Sequence, residues 1–359
     1  MRNEVKSSFR GFAKGAKVAP REKRGRRSTA RHGFTLVELL VAMSILSVLL
    51  LLLSQLLDQV QKTWNYSEGR VSQFREARVA FDLISKNLSQ ASLNTYWDYE
   101  YNEQNVVENY KRQSELHFVT LDGQSLGSVG GGDISGDAIF FQAPLGVSNI
   151  YRNLNNLFVA RGYYLMFGDD DRFKPSIIDS TPSYRFRLME YRPPAEFNQI
   201  YIDGDRERAR DLPPSYDEWF KYDLEEYSTP LAENIVAFVI SPRDTMETAS
   251  DTRRDTYSRI ARDYNFDSNT HTDPRYVQQI PPLVRVTMIA IDEGSAVRLE
   301  AENGSSEPNL VSRSYFRDTS NFDDDIEDLS EELSAKGLNF KVFSTMVAIR
   351  SSKWSTYVP

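Results

Sequence analysis

One long apolar segment limits what this chain can fold into more than any other feature of its sequence. A helix rises 1.5 Å per residue, so a helix over residues 34–57 would reach about 36 Å, which exceeds a hydrocarbon core of about 30 Å. No second segment of this kind occurs in the sequence. The sequence therefore predicts a single transmembrane helix. Its polar positions are Thr35, Glu38, Ser44, Ser47, Ser54 and Gln55.

Charge divides the chain on either side of Gly33. Residues 1–33 contain eleven Lys or Arg and two Glu, a net charge of +9, so residues 34–359 carry −17 of the chain's total of −8. Basic residues that precede a membrane segment stay in the cytoplasm. We therefore expect a cytoplasmic N-terminus, an inner-membrane anchor and a periplasmic C-terminal part. An acidic exported part does not favour nucleic acid as a partner.

A carboxylate lies inside the start of the apolar segment. An acid at membrane depth costs roughly 2–4 kcal/mol, so we expect Glu38 to have a partner. Residues 33–38 read Gly-Phe-Thr-Leu-Val-Glu and stand directly before the apolar run. This hexapeptide resembles the type III signal of type IV pilins and of type II secretion pseudopilins.

The resemblance implies a role for three residues. Prepilin peptidase would cleave between Gly33 and Phe34, remove the basic leader 1–33 and methylate the new amino group of Phe34. An unperturbed α-amino group titrates near 8, so this amine would be cationic near neutral pH. In a fibre of pilins or pseudopilins, Glu38 of one subunit would face the Phe34 amine of the next. Opposite charges at short range would then offset each other's desolvation.

A second periodicity follows the apolar segment over residues 58–93. Apolar residues recur there at intervals of three, four or seven, while charged residues take the opposite side. This period near 3.6 predicts an amphipathic continuation of the helix to about Ser92. The apolar positions are Trp64, Val71, Phe74, Phe81, Ile84 and Leu88.

Residues 94–359 read as one β-rich head. Polar residues dominate the ranges 193–230 and 242–282, which predicts two long irregular connections. Helical spacing of apolar residues predicts one helix over Asn321–Lys336. The last predicted strand is apolar on both faces, so we expect it to be central in its sheet. The predicted strands are Glu115–Leu121, Asp137–Gln142, Tyr163–Phe167, Tyr184–Tyr191, Asn234–Ile240, Leu283–Ile291 and Leu338–Ile349.

These elements predict an α+β fold in which a long N-terminal helix packs on an antiparallel β-sheet head. The pilin resemblance implies the same layout. Two further resemblances lie in the head. Residues 234–240 (NIVAFVI) and 281–288 (PPLVRVTM) resemble the strand pair of J-type minor pseudopilins, and residues 342–350 (VFSTMVAIR) resemble the Verru_Chthon cassette protein C group of pilin-like proteins.

The sequence holds no complete pattern for catalysis or for a cofactor. The histidines stand apart in sequence and there is no cysteine, so neither a zinc site nor a disulfide is predicted. The glycine-rich stretch 127–136 lacks a following Gly-Lys-Ser/Thr, which favours a hairpin tip over a phosphate-binding loop. We therefore expect no enzymatic activity. The absence of cysteine also departs from the C-terminal disulfide loop of major pilins, which favours a minor pilin or pseudopilin.

Two acidic runs supply the oxygen ligands that calcium prefers. Asp169, Asp170 and Asp171 form one run, and residues 323–325 form the other. Neither fits the calcium-loop pattern D-x-[DN]-x-[DN]-G. A turn between strands is the favoured interpretation of the first run, with calcium as the alternative. The second run falls in the first turn of a predicted helix, where the helix dipole stabilises carboxylates.

Two functions account for these features. The favoured one is a minor pseudopilin or minor pilin, a structural subunit that starts or joins a short fibre for secretion or pilus biogenesis. The alternative is a single-pass, membrane-anchored periplasmic binding or adhesion protein that keeps its leader. An intact mass distinguishes them, because processing predicts a chain that starts at Phe34 and carries one methyl group.

Overall fold

The computed structural model describes residues 35–150, 155–175, 177, 181–197, 216–221, 224–244, 260–271, 273–312 and 314–355. The chain divides into two compact units, Met1–Lys62 and Thr63–Pro359. The second unit is called the head below. An apolar N-terminal helix followed by antiparallel sheets confirms the predicted α+β class, and it is consistent with a pilin-like fold.

The N-terminal helix α1 is Leu36–Leu88, 53 residues long. Its first part is rich in leucine and free of proline, so strong helix formers continue without a break. The helix ends at Leu88, before the predicted end near Ser92, because the amides of Gln90 and Ala91 bond three residues back instead of four.

Within the head, α1 buries one stripe of side chains. Phe81, Ile84 and Leu88 are buried with Ala77 and Ala80, which is the spacing of one helix face. This confirms the predicted amphipathic pattern for the last turns of the helix. The side chains of residues 62–73, which include the predicted positions Trp64 and Val71, lie outside the described part.

The described strands form three antiparallel sheets. A seven-stranded sheet has the order β10-β3-β5-β6-β7-β8, with β4 paired to β5; a three-stranded sheet has the order β12-β11-β9; β1 and β2 form a separate hairpin. The strands are β1 Tyr96–Tyr101, β2 Val107–Gln113, β3 Val119–Asp122, β4 Ser128–Val129, β5 Gly132–Val147, β6 Asn155–Gly168, β7 Arg185–Tyr191, β8 Ser228–Glu233, β9 Ile235–Arg243, β10 Phe266–Asp267, β11 Leu283–Ile291 and β12 Phe340–Ala348.

The three-stranded sheet lies between two helices of the head. On one face, the ring of Phe343 in β12 packs 5.8 Å from the ring of Phe81 in α1. On the other face, helix α3 (Phe322–Ala335) places the Phe322 ring 4.4 Å from the guanidinium of Arg285 in β11. Helix α2 (Glu293–Asn303) follows β11 and is capped by Asp292. The largest buried cluster of the head joins these elements.

The last strand corrects one prediction. The strand Leu338–Ile349 was predicted to be central in its sheet, and this is wrong. Among the described strands, β12 pairs only with β11 and lies at the edge of the sheet. Its side chains are mostly half-buried or exposed, and Val347 is its one buried residue. An edge strand with apolar side chains on both faces therefore has the same sequence pattern as a central strand.

A glycine brings the two larger sheets together. Gly136 in β5 has φ +68°, and a Cβ there would lie 3.1 Å from the carbonyl oxygen of Phe238 in β9. The next residue, Asp137, accepts a hydrogen bond from the Ile240 amide of β9 at 2.8 Å. Glycine is the residue that tolerates both this backbone conformation and this close approach.

Each other predicted strand overlaps a strand of the structure, and the predicted helix Asn321–Lys336 is confirmed as α3. The hairpin β1–β2, the strands β8 and β10 and helix α2 were not predicted. In the two ranges predicted to be irregular, the described residues form short 3-10 helices at Ala195–Phe197 and Tyr216–Lys221 and contain β10 and the start of β8. Residues 198–215 and 245–259 lie outside the described residues.

Candidate functional site

The predicted processing site lies at the beginning of α1. Gly33 and Phe34 fall outside the described residues, so their predicted roles in cleavage and methylation stay predictions. The described part of the site begins at Thr35, one residue before the helix. Thr35 and Glu38 are both exposed.

Thr35 and Glu38 form a reciprocal pair of hydrogen bonds that caps the helix. The Glu38 amide donates to Thr35 Oγ1 at 3.3 Å, and the Thr35 amide donates to Glu38 Oε2 at 2.9 Å. The Thr35 hydroxyl also donates to Glu38 Oε2, at 3.0 Å. This is the capping-box arrangement of a threonine followed three residues later by a glutamate. It satisfies amides that a helix start otherwise leaves without partners.

The cap changes the interpretation of Glu38. The sequence suggested that this acid requires a partner from another subunit, and the structure gives it a partner in its own chain. The helix dipole adds to the effect, because a carboxylate in the first turn lies near the positive end of the helix. Sequence reasoning missed the cap, although the Thr-x-x-Glu spacing is a readable signal for it. The predicted contact of Glu38 with a neighbouring amine stays a prediction.

The segment that follows has the properties of a membrane anchor. Leu36–Gln61 is 26 residues long, apolar enough to cross a bilayer, and exposed throughout. Its serines are accommodated within the helix: Ser44 Oγ donates to the Val41 carbonyl and Ser47 Oγ to the Met43 carbonyl, both at 2.8 Å. Such internal bonds reduce the cost of a hydroxyl in hydrocarbon.

The first acidic run forms a turn after β6, and its negative charge is offset by a lysine. Lys174 Nζ lies 2.8 Å from Asp170 Oδ1 and 3.4 Å from Asp171 Oδ1. Burial opposes ionisation of Asp170, but hydrogen bonds from Lys174 and from the Ser183 amide outweigh it and lower the pKa of its carboxyl. Asp169 Oδ1 accepts from the Asp171 amide at 3.2 Å. In the described part of the chain, no three His, Cys, Asp or Glu side chains are arranged to hold a metal.

The glycine-rich stretch forms a hairpin tip, as predicted. Val129 pairs with Gly132 across the turn between β4 and β5. Gly130 and Gly131 occupy the turn with φ of 58° and 85°, which is the conformation that two-residue hairpins require.

His117 belongs to a buried polar cluster that the sequence did not indicate. Its Nε2 lies 2.7 Å from Asp267 Oδ1, and its Nδ1 accepts a hydrogen bond from Trp219 Nε1 at 3.1 Å. Burial opposes ionisation of Asp267, but the bond with His117 prevails and lowers the pKa of the carboxylate. The three residues come from distant parts of the chain, so no local pattern could have shown the cluster. It joins the 3-10 helix Tyr216–Lys221 and β10 to the segment just before β3.

An open cleft of about 960 Å³ lies where β5, β9 and the segment after α2 meet. Asp122, Asp137 and Asp263 are among the side chains that line it. Burial raises the pKa of Asp137 to about 8, and the negative charge of Asp122 adds to the effect, although the bond from the Ile240 amide works against it. Near neutral pH the Asp137 carboxyl is therefore largely protonated.

Comparison with known proteins identifies one region of the chain. Residues 28–54 match the family model described as the prokaryotic N-terminal methylation motif. No curated protein and no solved structure matched the chain. The matched residues include the predicted cleavage position, the capping box and most of the exposed apolar segment. The chain thus carries a prokaryotic N-terminal methylation motif at the start of an apolar helix, as a type IV pilin-like protein or pseudopilin does.

Proposed function

We propose that this chain is a minor pseudopilin or minor pilin, a structural subunit that starts or joins a short fibre for protein secretion or pilus biogenesis. Prepilin peptidase cleaves it between Gly33 and Phe34 and methylates Phe34. The protein is held in the inner membrane by one helix, with the basic leader in the cytoplasm and the head in the periplasm. It performs no chemistry of its own.

The observation that carries this proposal is the position of the methylation motif. The motif covers residues 28–54, and α1 begins inside it at Leu36. The capping box therefore starts the helix two residues after the proposed cleavage bond. Cleavage at Gly33 makes Phe34 the first residue, one position before a capping box that fixes the start of the helix by its own hydrogen bonds.

The geometry of Glu38 supports a role in assembly beyond the cap. Both hydrogen bonds from Thr35 go to a single oxygen, Oε2. A carboxylate has about four acceptor positions on its two oxygens, so Oε1 can accept from an ammonium group while the cap stays intact. The methylated amine of Phe34 in a neighbouring subunit supplies such a group. A charged pair in hydrocarbon is favourable only when both partners are present.

The absence of cysteine supports the minor over the major class. A major pilin commonly closes its C-terminal region with a disulfide. In this head, a mixed core of two sheets and two helices packs around α1 and supplies the corresponding stability.

Intact-mass measurement of the protein extracted from membranes tests the proposal. We expect a chain that begins at Phe34 and carries one added methyl group in cells with an active prepilin peptidase. The matched control is the same strain without the peptidase, in which the full precursor should accumulate. A mass that retains residues 1–33 in both strains would instead support the membrane-anchored binding or adhesion protein.

A further inference from the structure

The hairpin β1–β2 separates its side chains into two unlike faces. The strand register pairs Trp97 with Arg112, Tyr99 with Tyr110 and Tyr101 with Val107. Successive residues of a strand point to opposite sides, so these pairs share one face. The ring contacts agree, since Tyr99 lies 5.2 Å from Tyr110 and 6.3 Å from Tyr101. We call Trp97, Tyr99, Tyr101, Val107 and Tyr110 the aromatic face. The opposite face carries Tyr96, Asp98, Glu100, Asn109, Lys111 and Gln113.

The aromatic face is open to solvent. Each of its five side chains is between 43% and 53% exposed, and the hairpin has no third strand among the described residues. A two-stranded hairpin is marginally stable by itself in water, and alternating apolar side chains are typical of a face that packs on another surface. Contiguous exposed apolar side chains of this kind mark interaction sites.

The hairpin is held firmly at its base. The Arg112 guanidinium donates to the Ser355 carbonyl at 3.0 Å and to the Pro274 carbonyl at 3.3 Å, and it stacks 5.0 Å from the Trp97 ring. Trp97 therefore has a fixed position at the junction with the rest of the head. A fixed aromatic side chain loses little entropy on binding, which is the property of an interface anchor.

The ring geometry favours a protein partner over a sugar or a nucleic acid. A sugar chain or a row of bases stacks on rings that share a plane. The Tyr99 ring is tilted by 42° from that of Tyr110 and by 54° from that of Tyr101, so these rings form a ridged surface. Interdigitating side chains of a protein fit such ridges, and Tyr, Trp and Arg are the residues enriched in protein interfaces.

Charge indicates the character of that protein. The hairpin and its turn carry four carboxylates against one Lys and one Arg, with two of the acids on the opposite face, and the part of the chain after Gly33 carries −17. A second copy would bring two acidic hairpins together, which like charges disfavour. A partner with Lys or Arg beside an apolar strip would be attracted. The four acids are Asp98, Glu100, Glu103 and Glu108.

We propose that the aromatic face binds a different pilin-like subunit of the same fibre, one that presents an apolar strip bordered by Lys or Arg. This inference rests on the proposed function for the class of partner. The aromatic face of the hairpin is then buried in the fibre, and the net negative charge of the hairpin favours a different, basic neighbour over a second copy.

Site-specific photo-cross-linking in cells that make the full chain tests the proposal. A benzoylphenylalanine at Tyr99 or Tyr110 keeps a ring on the aromatic face, and the matched control is the same substitution at Tyr96. Tyr96 lies in the same strand with nearly equal exposure, 44% against 48% for Tyr99, but on the opposite face. We expect roughly tenfold more adduct from Tyr99 than from Tyr96, as for an interface centre against its surroundings. Mass spectrometry should identify the cross-linked protein as a chain with its own N-terminal methylation motif.

Equal yields from the two faces, adducts with a second copy, or adducts only with proteins that lack the motif would overturn the proposal.

Charge provides a second measurement that leaves the aromatic residues in place. Glu100→Lys combined with Glu108→Lys reverses the net charge of the hairpin and should reduce the Tyr99 adduct several-fold. Raised salt should have the same effect on the chain without these substitutions. An adduct unaffected by both would contradict a basic partner. The intact mass of the protein in the same samples reports processing separately. If only the hairpin proposal is wrong, the chain still begins at Phe34 with one methyl group; if the proposed function is wrong, the chain keeps residues 1–33.

Discussion

The start of α1 and the head obtain their structure from contacts of very different range. Around Thr35–Ser47 the side chains bond to positions three or four residues away. In the head, the decisive bonds join Asp137 to Ile240, His117 to Asp267 and Arg112 to Ser355. A structure built from neighbours in sequence can be interpreted from sequence, whereas one built across a hundred residues or more cannot. The functional signal of this chain lies in the first kind of structure.

The two regions also differ in what their apolar side chains do. Those of Leu36–Gln61 are exposed and available to lipid or to other subunits, whereas those of the head fill its core. Substitutions in the first region should therefore alter processing and assembly and leave folding intact. Substitutions in the head core should have the opposite effect.

The largest effect is expected for Gly33→Val, which should leave the precursor uncut. A β-branched side chain neither fits a cleft that accepts glycine nor favours the same backbone. Immunoblotting of precursor and mature chain in cells with active peptidase measures the result. Gly25→Val in the same leader is the matched control and should be processed normally. Normal processing of Gly33→Val would mean that the cleavage position is misassigned.

Leu329→Ala should lower the free energy of unfolding of the head by about 2–5 kcal/mol. Leu329 is a fully buried residue of α3 and belongs to the largest buried cluster of the head. Leu49→Ala removes the same atoms from a side chain that is 57% exposed, and it should leave head unfolding unchanged. Urea titration of the purified full chain in detergent, followed by tryptophan fluorescence, measures both. Equal losses in the two variants would remove the contrast between the regions.

The raised pKa of Asp137 predicts that the head loses stability as pH rises from about 4 to about 8. The folded-state pKa is about 8, above the ordinary value of 3.8, so over this range the folded state holds a proton that the unfolded state has released. Asp137→Asn removes the charge and keeps an oxygen that can accept from the Ile240 amide. We expect the variant to show a flatter profile of melting temperature against pH. An unchanged slope would assign the pH dependence to other groups.

The smallest effect is expected for Trp219→Phe, which deletes the hydrogen bond to His117 and should cost about 1 kcal/mol beyond any loss of packing. Trp354→Phe is the matched control, since the buried Trp354 Nε1 has no hydrogen-bond partner among the described residues. Denaturant unfolding compares the two. If Trp354→Phe is as costly as Trp219→Phe, the bond to His117 adds nothing measurable.

The fold was readable from sequence where a pattern depends on one element alone. The apolar run and the period near 3.6 predicted α1, and the run of strand-forming residues Leu283–Ile291 predicted β11 with the same bounds. The position of β12 was not readable, because this edge strand carries apolar side chains on both faces, as a central strand does. The hairpin β1–β2 was missed because it lacks a strong turn signal, although Trp97, Tyr99 and Tyr101 alternate with two acids as in a strand. The His117 contacts depend on residues that folding alone brings together.

The pairing of Glu38 with a neighbouring amine is tested most directly by separating its charge from its cap. Glu38→Gln keeps the glutamine or glutamate that a capping box requires but removes the negative charge, whereas Glu38→Val removes both. We expect both variants to be cleaved and inserted in the membrane, and both to lose cross-links to fibre partners, because an uncharged residue cannot offset the methylated amine of Phe34. Wild-type cross-linking by Glu38→Gln, with loss only in Glu38→Val, would show that the cap is the whole role of this residue and would contradict the charge-pairing account.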